Sequence, residues 1–371
     1  MINLFQPSVG TEELEAIREV FDSNWLGEGR RVEEFRANLA QYLGCGSKEL
    51  QPLSSCTEGL FQTMYALGLG TGDQVVMPSI SFVGTAQAVR SVGAEVVLCD
   101  VNPRTLNPTV DHVAAAVTSR TRCIVILHFG GAPGEASEIA RFARQAGIPL
   151  VEDAACSLGS FVGESACGML GDVGVWSFDA MKIITTGDGG MVWSRHPAIS
   201  ERIRLGVTMG VRASGFQRRA QSHNWWQVDP EVHGRRAIMN DISAAIGSAQ
   251  LRRLPSFLLR RKEIAQTYDV ALASLDWMMT PSPQASASSR TFYWVQTEGT
   301  VRDRLARYLL DQGIYTSFRY WPLHRTEMFH DDRQLSGANL ASSSTLLLPL
   351  HQGLRTSDVE HIVSALHNFV P

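Results

Sequence analysis

Between residues 57 and 193, short apolar runs alternate with stretches of helical spacing, and this alternation limits the possible folds more than any other feature of the chain. Gln74–Met77, closed by Pro78, reads as a buried strand. Glu95–Cys99, ending at Asp100, is a second, and Cys123–Leu127 a third. Pro149–Asp153 is a fourth, with two acids at its C-terminal end, and Val173–Phe178 and Gly190–Trp193 add two more. Thr57–Leu69, Phe82–Val92 and Ala136–Gln145 read as the helices between them. Strands that are apolar throughout and alternate with helices form a mostly parallel sheet covered by those helices, so the expected class is α/β. Such sheets bind ligands beyond the carboxyl ends of their strands, which is where Asp153 stands.

The flanks differ. Thr11 is expected to cap an N-terminal helix whose first turn carries Glu12 and Glu13; Trp25–Gly29 breaks it, and a second helix follows from about Arg31 to Leu43. Later, a small-residue helix over Asp241–Leu251 leads to Pro255, and a longer one follows with Phe257, Ile264, Tyr268 and Leu272 on its apolar face. Pro281–Ser289 reads as a surface loop. Strands near 292–296 and 345–348 and helices near 301–312 and 356–369 make an α+β end piece. The expected division is a large domain over 1–254, including the N-terminal helical segment, and a small C-terminal domain over 255–371.

Composition excludes several function classes. A net charge of −4 with 19% charged residues gives no strong field for nucleic acid or an anionic membrane. No apolar run approaches the roughly 20 residues of a membrane span, and Met1–Gly10 lacks the pattern of a signal peptide. The six cysteines include no Cys-x-x-Cys pair, which argues against a zinc knuckle or a disulfide scaffold. The expectation is a cytoplasmic protein without metal, nucleic-acid or membrane partners.

Of 33 basic residues only Lys48, Lys182 and Lys262 are lysines. Lys48 lies in a polar loop and Lys262 on the polar side of an amphipathic helix, where both read as solvated charges. Lys182 lies between a sheet strand and the turn Thr185-Thr-Gly-Asp-Gly-Gly190, and Ile183 and Ile184 follow it. Burial there lowers an amine's pKa, as a Schiff-base lysine requires; the bland alternative is a lysine snorkelling from a strand end. Ser54-Ser-Cys-Thr57 before a helix makes an anion site from free N–H groups with the Ser55 and Thr57 hydroxyls, or simply a capped helix. After Asp153, Ala154 and Ala155 leave room for a flat ring, whose protonated nitrogen a carboxylate can pair. Phe82 opens a helix nearby and otherwise reads as core. An amine, an anion cradle and an acid for a ring nitrogen are what pyridoxal phosphate needs.

These segments resemble the DegT/DnrJ/EryC1/StrS aminotransferases, fold-type-I pyridoxal phosphate enzymes that act mainly on keto sugars. The resemblance spans nearly the whole chain: Asn24-Trp25-Leu26, Gly72–Pro78, Ser81–Ala86, Val151-Glu-Asp-Ala-Ala155, Gly171–Phe178 with Lys182, Thr185–Gly190, Met239–Gly247 and Tyr320-Trp-Pro-Leu-His324 occur in the family's order. It implies a seven-stranded, mostly parallel sheet in the large domain. It implies that Lys182 carries the cofactor as a Schiff base and shuttles the proton between substrate Cα and cofactor, while Asp153 pairs with the pyridine nitrogen. Phe82 and Ala155 would flank the ring, Ser55, Cys56, Thr57 and Ser177 would hold the phosphate, and Trp25, Asp179, Arg319, Tyr320 and His324 would lie by the substrate. It also implies a homodimer in which the second subunit supplies a phosphate contact.

Departures from the pattern fall on loops around the site. Cys156 stands where the family often has a Gln that contacts the ring hydroxyl, and Asp179 where many members have His. Arg236 takes the place of the phosphate-binding Asn of the cross-subunit loop, and Arg319 precedes Tyr320 in place of His. The implied activity is transfer of an amino group from Glu or Gln to a keto group of a nucleotide-activated deoxysugar or cyclitol. The alternatives are a non-transaminating regulatory or assembly subunit, and a lyase on the same fold.

Overall fold

A computed structural model describes residues 1–212, 224, 226–281 and 288–371. The centre is a seven-stranded sheet in the order β1-β9-β8-β5-β4-β2-β3. Its strands are β1 (Leu50–Leu53), β2 (Gln74–Pro78), β3 (Glu95–Cys99), β4 (Thr121–Leu127), β5 (Leu150–Asp153), β8 (Val173–Ser177) and β9 (Gly190–Ser194). The short hairpin β6 (Phe161–Val162) and β7 (Ser165–Ala166) lies apart from it. β3, β2, β4, β5 and β8 pair in parallel, and β9 is antiparallel to both β8 and β1. Six strands therefore end on one edge of the sheet, and β9 begins there.

Residue alternation along the strands divides the core between the two faces. Val75, Met77, Cys123, Val125 and Val151 pack on one side with Leu60 and Met64 of α3 (Cys56–Ala66) and with Ala86 and Val89 of α4 (Val83–Ser91). Val76, Ile124, Ile126 and Leu150 pack on the other with Val113 of α5 (Val110–Ala116) and Ile139, Ala140 and Ala143 of α6 (Ala136–Ala146). β1, β8 and β9 bury Leu50, Trp176, Met191 and Trp193 against α2 (Arg30–Leu43) and the start of a long helix. α7 (Pro197–Val207) covers α3.

Several expectations change. The cap of α1 (Thr11–Asp22) is Gly10, not Thr11, and Glu13 of its first turn is buried. Pro255 does not end a helix: α8 (Asp241–Leu272) runs through it for 32 residues. α8 leaves the core of the large sheet after Phe257 and enters a second core at Ile264. That second core holds the antiparallel pair β10 (Tyr293–Gln296) and β11 (Thr345–Leu348), with α9 (Gly299–Asp311) and α11 (Thr356–Asn368) packed on it; α10 (Ser336–Ser344) leads into β11. Of the expected surface loop at 281–289, residues 282–287 lie outside the described set, and Ser289 is buried. Among the described residues no helix is long and apolar enough to cross a membrane, and the six cysteines are free.

Candidate active site

The shared edge of the sheet gathers residues far apart in sequence. A cavity of about 260 Å³ opens there, lined by Ser55, Cys56 and Thr57 after β1, Phe82 after β2, Leu127 at the end of β4 and Asp153 and Ala155 at the end of β5. Ser177, Asp179, Met181 and Lys182 follow from β8, Asp188 precedes β9, and Arg319 and Tyr320 come from the C-terminal part.

α3 begins at Cys56, and Ser55 Oγ caps it by accepting from Glu58 N at 3.1 Å. The first turn of a helix leaves its N–H groups outside the intrahelical ladder, so those of Cys56 and Thr57 remain for an anion, favoured by the helix dipole. Gly190 lets this turn lie directly on the sheet: a Cβ at that position would stand 2.5 Å from Cys56 N.

Opposite, the Asp153 carboxylate is buried and accepts from Thr85 Oγ1 at 2.9 Å and Ala155 N at 3.2 Å. Burial raises its pKa, and those hydrogen bonds with the nearby Lys182 and His128 charges oppose the rise only in part. Lys182 is half-buried, and its Nζ donates to Cys156 Sγ at 3.6 Å. Burial pulls its pKa down, as the sequence suggested. Cys156, Cys56, Asp153 and Asp179 outweigh that pull, however, and the ammonium ends above the ordinary lysine range. The expectation of a depressed amine is therefore corrected. Cys156 is buried beside the lining, its sulfur 3.8 Å from Tyr320 Oη. Phe82 meets the Tyr320 ring edge-on at 5.8 Å. Ser177 Oγ accepts from Asp179 N at 3.3 Å. Arg319 stacks over Phe5 at 5.0 Å and reaches Met181 Sδ at 3.4 Å.

Besides Cys156, three expected residues stand outside this lining. Trp25 is exposed, and its indole Nε1 donates to Glu28 O at 3.0 Å. Arg236 is exposed on a segment that bridges to Thr208. His324, expected beside the substrate, is instead a buried tie: Nδ1 lies 2.6 Å from Ser79 Oγ and Nε2 3.1 Å from Asn339 Oδ1. The sequence reading missed Leu127, Met181, Asp188 and Thr85. The first three follow from the edge rule once the strand ends are known; Thr85, a buried threonine inside a helix, carries no pattern of its own.

The donor set fits pyridoxal phosphate. The α3 turn suits a phosphate, the buried Asp153 carboxylate a protonated ring nitrogen, and the Lys182 amine an aldehyde.

A model of the DegT/DnrJ/EryC1/StrS aminotransferase family matches residues 7–367. The chain is 48% identical to the dTDP-4-dehydro-2,3,6-trideoxy-D-glucose 4-aminotransferase of Saccharopolyspora spinosa, over 100% of this chain and 97% of that protein. It superposes on the crystal structure of the aminotransferase TlmJ from Streptoalloteichus hindustanus with a TM-score of 0.94 at 50% identity, covering 99% of this chain and 98% of the other. The sugar aminotransferase CalS13 from Micromonospora echinospora gives 0.90 at 26% identity, over 100% of both chains.

Proposed function

Because the chain belongs to the DegT/DnrJ/EryC1/StrS aminotransferase family, we propose that it uses pyridoxal 5′-phosphate to move an amino group from Glu or Gln to the C4 ketone of a deoxysugar carried on thymidine diphosphate. The observation that carries this reading is the meeting of Lys182, Asp153 and the α3 turn on one cavity. The substrate class is supported by the named activity of the Saccharopolyspora relative.

When bound, pyridoxal phosphate supplies an aldehyde that exchanges amino groups and a ring that accepts the electron pair of the donor's Cα–H bond. The protein's residues do the rest. Asp153 keeps the proton on the ring nitrogen, and Phe82 and Ala155 confine the ring between them. Ser55, Cys56, Thr57 and Ser177 anchor the phosphate. Lys182 Nζ would take the proton from Cα of the donor and hand it to the cofactor's aldehyde carbon, and in the second half-reaction would carry a proton from that carbon to the acceptor's C4. Arg319, which pairs with no carboxylate among the described residues, offers a cation at the cavity for the donor carboxylate or the diphosphate.

The protein acts as a homodimer in this reading, with Arg236 of each chain completing the phosphate site of the other. The division into a cofactor-binding part up to about Leu254 and a smaller C-terminal part is proposed alongside it, supported by the change of core along α8.

Lys182→Ala tests the assignment. The wild type should show the visible absorbance of the lysine-bound cofactor, lose it when given Glu, and aminate a keto-deoxysugar nucleotide. The variant should do none of these. Survival of both the absorbance and amino transfer in Lys182→Ala would overturn the reading, and a wild type that never responds to Glu would point to a non-transaminating role.

A further inference from the structure

Arg261, on α8, is 1% exposed. Its Nε donates to Gln352 Oε1 at 3.0 Å, and its Nη1 donates to the carbonyls of Arg290, Thr291 and Leu350 at 3.2, 3.3 and 3.0 Å. These acceptors are all neutral, and among the described residues the guanidinium pairs with no carboxylate. Burial pulls its pKa down to about 9. A buried cation without a counter-ion is costly, and an apolar side chain of similar length would fill the space more cheaply. What the guanidinium adds is convergence: it draws together the chain just before β10 and the chain just after β11.

Both segments continue to the active site. Gln352 Nε2 donates to Ile183 O at 3.1 Å, one residue after Lys182. Thr291 Oγ1 donates to Cys156 O at 2.5 Å, and Ser289 Oγ to the same carbonyl at 3.1 Å. The Cys156 sulfur in turn accepts from Lys182 Nζ. The backbone on both sides of the Lys182–Cys156 contact is thus held from one buried cluster centred on Arg261.

We propose that Arg261 is a positioning residue for the Lys182 amine, acting through Gln352 on the backbone beside Lys182 and through Thr291 on Cys156. It touches neither substrate nor cofactor. The inference rests on Lys182 being the lysine that carries the cofactor, since a proton-transferring amine tolerates little displacement.

The holoenzyme tests it through Gln352→Leu and Thr291→Val, which cut the two links and keep side-chain volume, beside Arg261→Met and Arg261→Lys. The readouts are the pH midpoint of the lysine-bound cofactor's visible absorbance, kcat and KM for amino transfer, and the thermal midpoint. Gln352→Leu and Thr291→Val should each shift the spectral midpoint and lower kcat on the order of tenfold, with KM for the donor changed less than about twofold. Arg261→Met should do more, and Arg261→Lys should recover part of both. An unchanged spectral midpoint and kcat in Gln352→Leu and Thr291→Val overturns the proposal, whether or not Arg261→Met folds. So does an Arg261→Met protein that loses only thermal stability. Lys182→Ala, measured alongside, separates the two readings. If it keeps the absorbance, the assignment of Lys182 fails first; if it loses it while the link variants stay normal, the positioning role alone fails.

Discussion

Asp153 carries a charge that the fold holds against its own interest. The carboxylate is buried at the end of β5 with one hydroxyl and one backbone N–H as donors, and burial raises its pKa. A carboxyl group with a raised folded pKa binds protons more readily folded than unfolded. Its favourable contribution is complete below the unfolded pKa and is lost as pH rises through the folded one. Raising the pH through that range therefore weighs against folding of the cofactor-free protein. Asp153→Asn keeps the size and one acceptor oxygen but removes the charge. It should leave the thermal midpoint of the cofactor-free protein equal or higher at neutral pH, with the difference fading in acid, while amino transfer falls on the order of a hundredfold. A clear loss of stability with amino transfer intact would contradict both halves of this account. Asp153 was legible because a carboxylate at the end of an apolar strand is conspicuous. The upward shift of Lys182 was not, because it depends chiefly on Cys156, Cys56 and Asp153, which only the folded chain brings near the amine.

The elements around the site are tied by side chains whose role no local pattern announces. Glu13 reads as an ordinary first-turn acid, yet it is buried and joins α1 to α8. Its Oε2 accepts from Gly10 N at 2.6 Å, and its Oε1 accepts from Gln250 Nε2 and Arg253 Nη1, both at 2.8 Å. Gln250 Oε1 also accepts from Thr185 N at 3.3 Å, which links this junction to the turn after Lys182. Burial pushes the Glu13 carboxyl up, but its hydrogen bonds outweigh that and hold it below the usual range. A depressed pKa contributes stability that is present above the unfolded value and lost as pH falls through the folded one. Glu13→Gln should therefore cost about 1–3 kcal/mol at neutral pH. The gap to wild type should close as pH falls through the depressed pKa. Denaturant melts at several pH values measure this, and a gap that stays constant into acid would refute it.

Helix and strand periodicity made most of the elements readable, and the exceptions have physical causes. α8 looked like two helices because Pro255 removes a backbone donor and usually breaks the run; packing against two cores on either side carries it through. β1 went unread because Pro52 sits inside four residues. β1 lies at the edge of the seven-stranded sheet, paired with β9 and bridged at Leu53 to Ile238, and an edge is where a strand tolerates proline.

At the scale of the whole molecule, one topological fact builds the cavity: six strands end where β9 begins, so residues from Ser55 to Tyr320 meet at one edge. That much follows from the βα alternation. Arg236 does not belong to that convergence. It is exposed and absent from the lining of its own chain's cavity, although the family pattern gives its position a phosphate-binding part. In a two-fold dimer each chain meets its partner through the same surface, so a residue outside its own site can complete the other one. Arg236→Ala should then lose cofactor affinity and activity, and Lys182→Ala should be inactive by itself. Co-expressed, the two variants form mixed dimers in which one site carries both defects and the other carries neither. At equal expression half of the dimers are mixed and half of their sites are intact, so about a quarter of wild-type activity should return. Differently tagged chains purified through both tags should hold one cofactor-competent site per dimer. If both variants fold, dimerise and mix, yet no activity returns at any ratio, Arg236 does not act across the interface.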